Sequence, residues 1–325
     1  MANKIRVAIA GATGNTGSSI VNALLNSPDR FEITALARST SVGKPDIVEF
    51  AKQGVAVKSV ELDGSIDMIS GTLANMDVVI SCLTLLQVTE EINLIEASSK
   101  ANVGRYIPSF WGPACAPRGI MMIREMIPLL TQTSQKEDLL DRIKALYLPY
   151  TIVDVGWWYQ LSLPALPSGR FRPAAEEYST TRIIGDGNFP WALTDNRDIG
   201  KFVSRIISDP KTLNKMVFAY GEVVTQNGAF ELLEKVSREA VPREYVTKEE
   251  LHSIISQGRA TAAKQDIKDV TVLPSIGMAE YRNLLGIRGD NTPEYARYLG
   301  YLDARDLYPD VEVTTLENYI RRLVR

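Results

Sequence analysis

The sequence predicts an α/β protein: a Rossmann-type, doubly wound parallel sheet with a smaller, interleaved C-terminal lobe. Three observations carry this prediction. The first half alternates apolar strand-like runs with segments of helical period, as βαβ units do. A glycine turn, "GATGNTG", stands between the first strand and the first helix. The 325 residues, 45% of them hydrophobic, can bury a core large enough for one broad domain or two joined lobes.

Strands are predicted from Ile5 to Ala10, Phe31 to Leu36, Val55 to Leu62, Val78 to Leu83, Arg105 to Ser109 and Tyr150 to Val155. Between the first two, Ile20, Val21, Leu24 and Leu25 share one face of a helix from Asn15 to Leu25. A later helix keeps Ile199, Phe202, Val203, Ile206 and Ile207 in helical period, from a cap at Thr194 or Asp195 to the stop at Pro210. After Gly156 the composition turns to Trp, Pro and Gly without period. Two amphipathic helices follow, "NGAFELLEKVSREA" and "TKEELHSIISQG", the second with a capping box from Thr247 to Glu250 and a closing Gly258. A division at 155 and 156 is expected, a nucleotide-binding domain over 1–155 and a substrate lobe over 156–325, with 181–220 returning to the first sheet.

Composition narrows the function. With 36 basic and 39 acidic side chains the net charge is −3, which favours neither nucleic acid nor a membrane surface as partner. Cys82 and Cys115 are too few for a disulfide framework or a cysteine zinc site, and one histidine, His252, excludes a multi-histidine metal centre. The apolar N-terminal run is too short for a signal peptide and no window is apolar enough to span a membrane. A soluble, cytoplasmic protein without metal is expected, as monomer or homodimer.

In the glycine turn, Gly11 permits the bend, Gly14 lets backbone N–H groups approach a pyrophosphate, and Gly17 lets helix pack on strand. The phosphates then meet a helix N-terminus, whose unpaired donors favour anions. At the end of the second strand, "ITALARSTSVGK" places Arg38 and Lys44 where a carboxylate would hold the NAD ribose. A guanidinium there suits a 2′-phosphate, so NADP(H) is the expected cofactor.

No tyrosine is followed four residues later by lysine, so the usual short-chain dehydrogenase proton donor is absent. His252 lies beside Leu251, Ile254 and Ile255 and reads as an ordinary surface residue. The remaining candidate is Lys136, in the first turn of a helix that Ser134 and Glu137 cap and that Leu139, Leu140 and Ile143 anchor. Macrodipole and oxidised nicotinamide both disfavour its ammonium, which suits a general acid or base. A solvated first-turn lysine is the plainer alternative.

Together, "GATGNTG", "ALARSTSVGK", "DVVISCLT", "RYIPSFWGP", "KEDLLDRIKALYLPYTIVDVGWW", "IIGDGNFPWALTDNRDIGKFV" and "SDPKTLNKMVFA" resemble the isoflavone reductase-like, NmrA-like group of atypical short-chain dehydrogenases. The resemblance runs to about residue 220 and more weakly to the end. It implies an NADPH-dependent reductase of small aromatic natural products, with Lys136 as the catalytic lysine. Its cofactor contacts carry over to the glycine turn (Gly11, Thr13, Gly14, Asn15, Thr16, Gly17), Arg38, Lys44, Cys82, Leu83, Ser109, Phe110, Trp111, Lys136, Gly156, Trp157 and Trp158.

Two departures bear on the substrate. Where the plant-type enzymes read P-S-E-F-G, this chain reads "PSFWG", with Phe110 and Trp111, and a longer segment precedes the lysine helix. Both features are more similar to fungal isoflavone-reductase-like proteins. Trp111, Trp158 and Tyr159 lie by the strand ends and suit a flat aromatic substrate, an enone, carbonyl or quinone methide, although the same rings could simply pack the seam between lobes. A redox-sensing regulator that binds dinucleotide without turnover, and a non-redox dehydratase or isomerase, are the alternatives on the same fold.

Overall fold

Val7 to Ala10 have no solvent exposure because β1 (Ile5–Ala10) runs through the middle of a parallel sheet covered on both faces. The structure, a computed structural model, describes residues 3–84, 86–114, 120–121, 136–173, 181–264 and 273–324. β1 pairs with β2 (Phe31–Ala37) on one side and β4 (Val78–Ser81) on the other, and β3 (Ala56–Ser59) and β5 (Arg105–Ile107) flank them in the order 3-2-1-4-5. The connections are α1 (Asn15–Leu25), α2 (Pro45–Lys52), α3 (Ile66–Thr72) and α4 (Val88–Lys100). The reversal of strand order between β1 and β4 is the point at which such sheets open a crevice for a ligand.

The parallel array continues beyond β5. α5 (Lys136–Ala145) leads to β6 (Thr151–Asp154), joined to β5 by a bridge between Tyr106 and Tyr150. β6 then pairs in parallel with β10 (Lys215–Phe218), and β10 with β13 (Leu302–Asp303). α6 (Ile199–Ile206) packs on α1, and the Gly200 amide donates to Ser19 Oγ at 3.0 Å.

The smaller lobe holds β7 (Trp157–Trp158), β9 (Pro190–Thr194) and β11 (Glu222–Thr225) in one short sheet, and β8 (Arg182–Ile184) with β12 (Glu244–Val246) in another. Around them lie α7 (Gln226–Ser237), α8 (Lys248–Lys264), α9 (Leu273–Asn283) and α10 (Leu316–Leu323). Its core is separate, built on Tyr159, Leu193, Phe230, Leu233 and Ile320. The expected return of 181–220 to the large sheet holds only for its later part: 182–194 pairs within the smaller lobe, whereas β10 and the late β13 extend the parallel array and α6 packs on α1. Among the described residues no helix is long and apolar enough to cross a membrane.

Several strands end earlier than their apolar runs. β4 stops at Ser81 and β5 at Ile107; Pro108 has no N–H for a ladder, and Cys82 and Leu83 turn toward the crevice. Val55 to Leu62 contributes a ladder over Ala56–Ser59 alone. Gly258 does not close its helix, because α8 runs on to Lys264. A Cβ at 258 would stand 2.4 Å from Ile276 Cγ1, so this glycine serves the close approach of α8 to α9. The Thr247 cap is present, its Oγ1 accepting from the Glu250 amide at 3.1 Å.

Candidate active site

A cavity of about 540 Å³ opens at the C-terminal ends of β1, β4 and β5 and reaches into the smaller lobe. Its floor is the glycine turn. Gly11 has φ +76°, and a Cβ there would lie 2.6 Å from the Cys82 carbonyl oxygen. Gly17 lies still closer to its neighbour, since its Cβ would stand 2.1 Å from the Gly11 oxygen. The two positions hold α1 directly over the end of β1, with exposed Gly14 at its N-cap and no side chain capping it. The first amides of α1 are left for a ligand, and Gly14, Asn15 and Thr16 line the cavity.

The cavity also collects Cys82, Leu83, Ser109, Phe110, Trp111, Lys136, Gly156, Trp157 and Trp158. Lys136, half-buried at the start of α5, donates from Nζ to the Phe110 carbonyl oxygen. Its ammonium lies 4.9 Å from the Phe110 ring centroid, a cation–π contact that further fixes its head. Ser134, the expected cap, and most of the longer segment, 115–119 and 122–135, lie outside the described residues. The Ser109 hydroxyl donates to the Leu83 carbonyl at 2.6 Å, joining the two strand-end loops.

Trp111 is 6% exposed and spans from cavity to core. Its indole donates to the Ser81 carbonyl at 2.8 Å, and the Trp158 indole donates to the Trp111 carbonyl at 3.1 Å. Its φ of +34° is uncommon for a bulky residue, and these bonds hold the backbone there. Tyr159 requires correction as a substrate contact: it is 1% exposed and does not line the cavity. Its hydroxyl proton is shared between Glu222 Oε1 at 2.8 Å and the Thr314 carbonyl at 3.1 Å, inside the smaller lobe.

Arg38 and Lys44 are exposed on the loop between β2 and α2, away from the cavity wall. Sequence reading missed their neighbour Glu61. Its carboxylate accepts from the Ser39 amide at 2.8 Å and the Ser39 hydroxyl at 2.7 Å. Those bonds, and more weakly the Arg38 charge, hold Glu61 below the usual carboxylate range.

Glu91 was also missed. It lies on α4, 3% exposed, and accepts from the Ser81 hydroxyl, from Tyr106 at 2.8 Å and from the Ser109 amide at 3.3 Å. Burial pushes its carboxyl above the usual range, against these donors and the ammonium of Lys136. Burial likewise raises the Cys82 thiol, with Glu91 adding to the shift, the direction that favours the protonated thiol. His252 is exposed on α8, 3.0 Å from Asn283 Oδ1. Among the described residues no cluster of His, Cys, Asp or Glu could hold a metal.

Comparisons with known proteins place the whole chain among relatives of the same fold. The chain is 38% identical to an asnovolin J 5′,6′-dehydrogenase of Aspergillus novofumigatus, over 98% of this chain and 95% of that protein. It is 28% identical to a phenylcoumaran benzylic ether reductase of Betula pendula over the full length of both. A leucoanthocyanidin reductase from Vitis vinifera, solved with NADPH, shares the fold with a TM-score of 0.77 at 21% identity, over 98% of this chain and 99% of that one. The family model described as NmrA-like matches residues 3–320: this chain belongs to the NmrA-like family.

Proposed function

We propose that the protein is an NADPH-dependent reductase of a small aromatic or related natural product, with Lys136 managing the proton. One observation carries the reading: the Lys136 ammonium and the uncapped N-terminus of α1 line the same cavity. The named activities of the relatives, a dehydrogenase and a benzylic ether reductase, support it. The residues suit the cofactor. Gly11 and Gly17 let the turn and α1 pack against the backbone of Cys82, Gly11 and Ala12 with no room for a Cβ, which keeps the helix end open to the cavity; the first amides of α1 would take the pyrophosphate, and Arg38 with Lys44 would take a 2′-phosphate.

NADPH supplies a hydride when bound. The chain supplies the rest. Trp157 and Trp158 give the cavity flat walls against which an aromatic ring can stack and exclude water. Lys136, its direction fixed by the Phe110 carbonyl, delivers a proton to the oxygen that gains charge as an enone, carbonyl or quinone methide accepts hydride.

The test is NADPH oxidation across a panel of such aromatics. Lys136→Ala is expected to lower kcat by roughly 10²–10⁴-fold. An unchanged rate removes the lysine's role. NADPH binding without oxidation of any substrate in the panel would leave a dinucleotide-binding regulator in its place.

A further inference from the structure

A second cavity, of about 30 Å³, shares Trp157, Leu161 and Met278 with the large one and is also lined by Arg182, Arg282 and Gln226. Its two guanidiniums differ in their partners. Arg182 pairs with Glu250 at 2.5 Å and with Glu244 at 3.5 Å, so its charge is offset. Half-buried Arg282 makes no hydrogen bond or ion pair among the described residues. Among the described residues the charged group acting on it is Arg182, and burial first, then that like charge, pulls Arg282 below the usual arginine range. Gln226 does not relieve it, since its oxygen accepts from the Ile184 amide and its nitrogen donates to the Arg182 carbonyl, both at 2.9 Å.

A guanidinium withdrawn from water beside a second one is costly unless an anion completes it. The space holds about two waters or one carboxylate group. Met278 and Arg282 are four residues apart on α9, on one face. Met278, with flexible torsions, stands between the cavities and can turn to join them.

The geometry points to the small cavity as the anion-accepting end of the substrate site, with Arg282 binding the carboxylate of an aromatic acid whose ring lies in the large cavity. This rests on the reductase reading for the placement of the ring and extends it by naming the substrate's class.

The test compares 4-hydroxycinnamate with its methyl ester, using the full chain and reading dissociation constants from tryptophan fluorescence. The wild type is expected to favour the acid by about tenfold or more, the selectivity of one charged hydrogen-bonded contact. Arg282→Gln abolishes the preference and Arg282→Lys keeps most of it. Equal affinity of the wild type for acid and ester overturns the inference with no variant needed, as does a preference that survives in a folded Arg282→Gln. Because the readout is binding, the two readings fail separately. A chain that prefers the acid but oxidises no NADPH loses the reductase assignment alone, and a reductase blind to the carboxylate loses this one.

Discussion

At the scale of single residues, two carboxylates that look alike in the sequence do opposite things. Glu61, exposed beside Arg38, ties down the Ser39 amide and hydroxyl and places a negative charge where a 2′-phosphate would approach. Glu61→Gln is therefore expected to raise affinity for NADPH about two- to fivefold without changing NADH, a small gain because the site is screened by water. Arg38→Ala should move the same titration the other way, by about tenfold. An Arg38→Ala protein that still preferred NADPH over NADH would assign the phosphate elsewhere. Glu91 is buried among Ser81, Tyr106 and the Ser109 amide, and burial raises its pKa. A carboxyl whose folded pKa is raised holds its proton more tightly in the folded chain than in the unfolded one. Its contribution to stability is thus fully present below about pH 4.3, the unfolded value, and lost as pH rises through the folded value. Glu91→Gln does not titrate, so the wild-type Tm minus the variant's should fall as pH is raised above about 4.3 and level off once the carboxyl has ionised in the folded chain. A difference that is flat or grows with pH would mean that the carboxyl is not held protonated by its surroundings.

At the scale of elements, α1 was legible because both its causes are local: the glycine turn that starts it and the Ile20, Val21 and Leu24 stripe, all 0% exposed, that buries it. The burial of Glu91 was not legible. In α4 it stands next to Glu90 in the first turn, where acidic residues suit the helix dipole and ordinarily face water; the hydroxyls that receive it come from β4 and β5, which only the folded sheet brings near. Tyr159 failed for the same reason, because its partners Glu222 and Thr314 lie far along the chain. Gly258 misled through a local rule, that glycine ends helices, when the deciding contact was with Ile276 on another helix. The two explanations predict opposite signs. In a helix with space around it, Gly258→Ala would gain about 1 kcal/mol, but with Ile276 Cγ1 2.4 Å from the new Cβ, overpacking costs about 1–3 kcal/mol. A Tm lowered by about 2 °C is expected. In an Ile276→Ala background the same substitution should turn stabilising, and additivity in that double-mutant cycle would contradict the contact.

At the scale of the whole molecule, the parallel array is assembled from both ends of the chain. β6 pairs with β10, and β10 with β13, which begins at Leu302; α1 is covered by α6, where the Gly200 amide bonds to Ser19. Ile20, Val21 and Leu24 from the one helix and Phe202, Val203 and Ile206 from the other are all fully buried in a single core. A cut after 155 exposes the three residues of α1 and deletes the three that cover them. At roughly 1.5–3 kcal/mol for each side chain, re-exposing the three residues of α1 costs the fragment about 4.5–9 kcal/mol, of the same order as the entire net stability of a typical domain, about 5–15 kcal/mol. A fragment of residues 1–155 should consequently fail to fold, although it carries the whole glycine turn, Arg38 and Lys136. The full chain, by contrast, should unfold in urea as one transition. Tryptophan fluorescence samples both cores, from Trp111 in the first and from Trp157 and Trp191 in the second, and its midpoint should coincide with that of the far-ultraviolet circular dichroism. Separate midpoints, or a 1–155 fragment that melts cooperatively and binds NADPH, would show that the nucleotide-binding half stands without the strands and helix the second half returns to it.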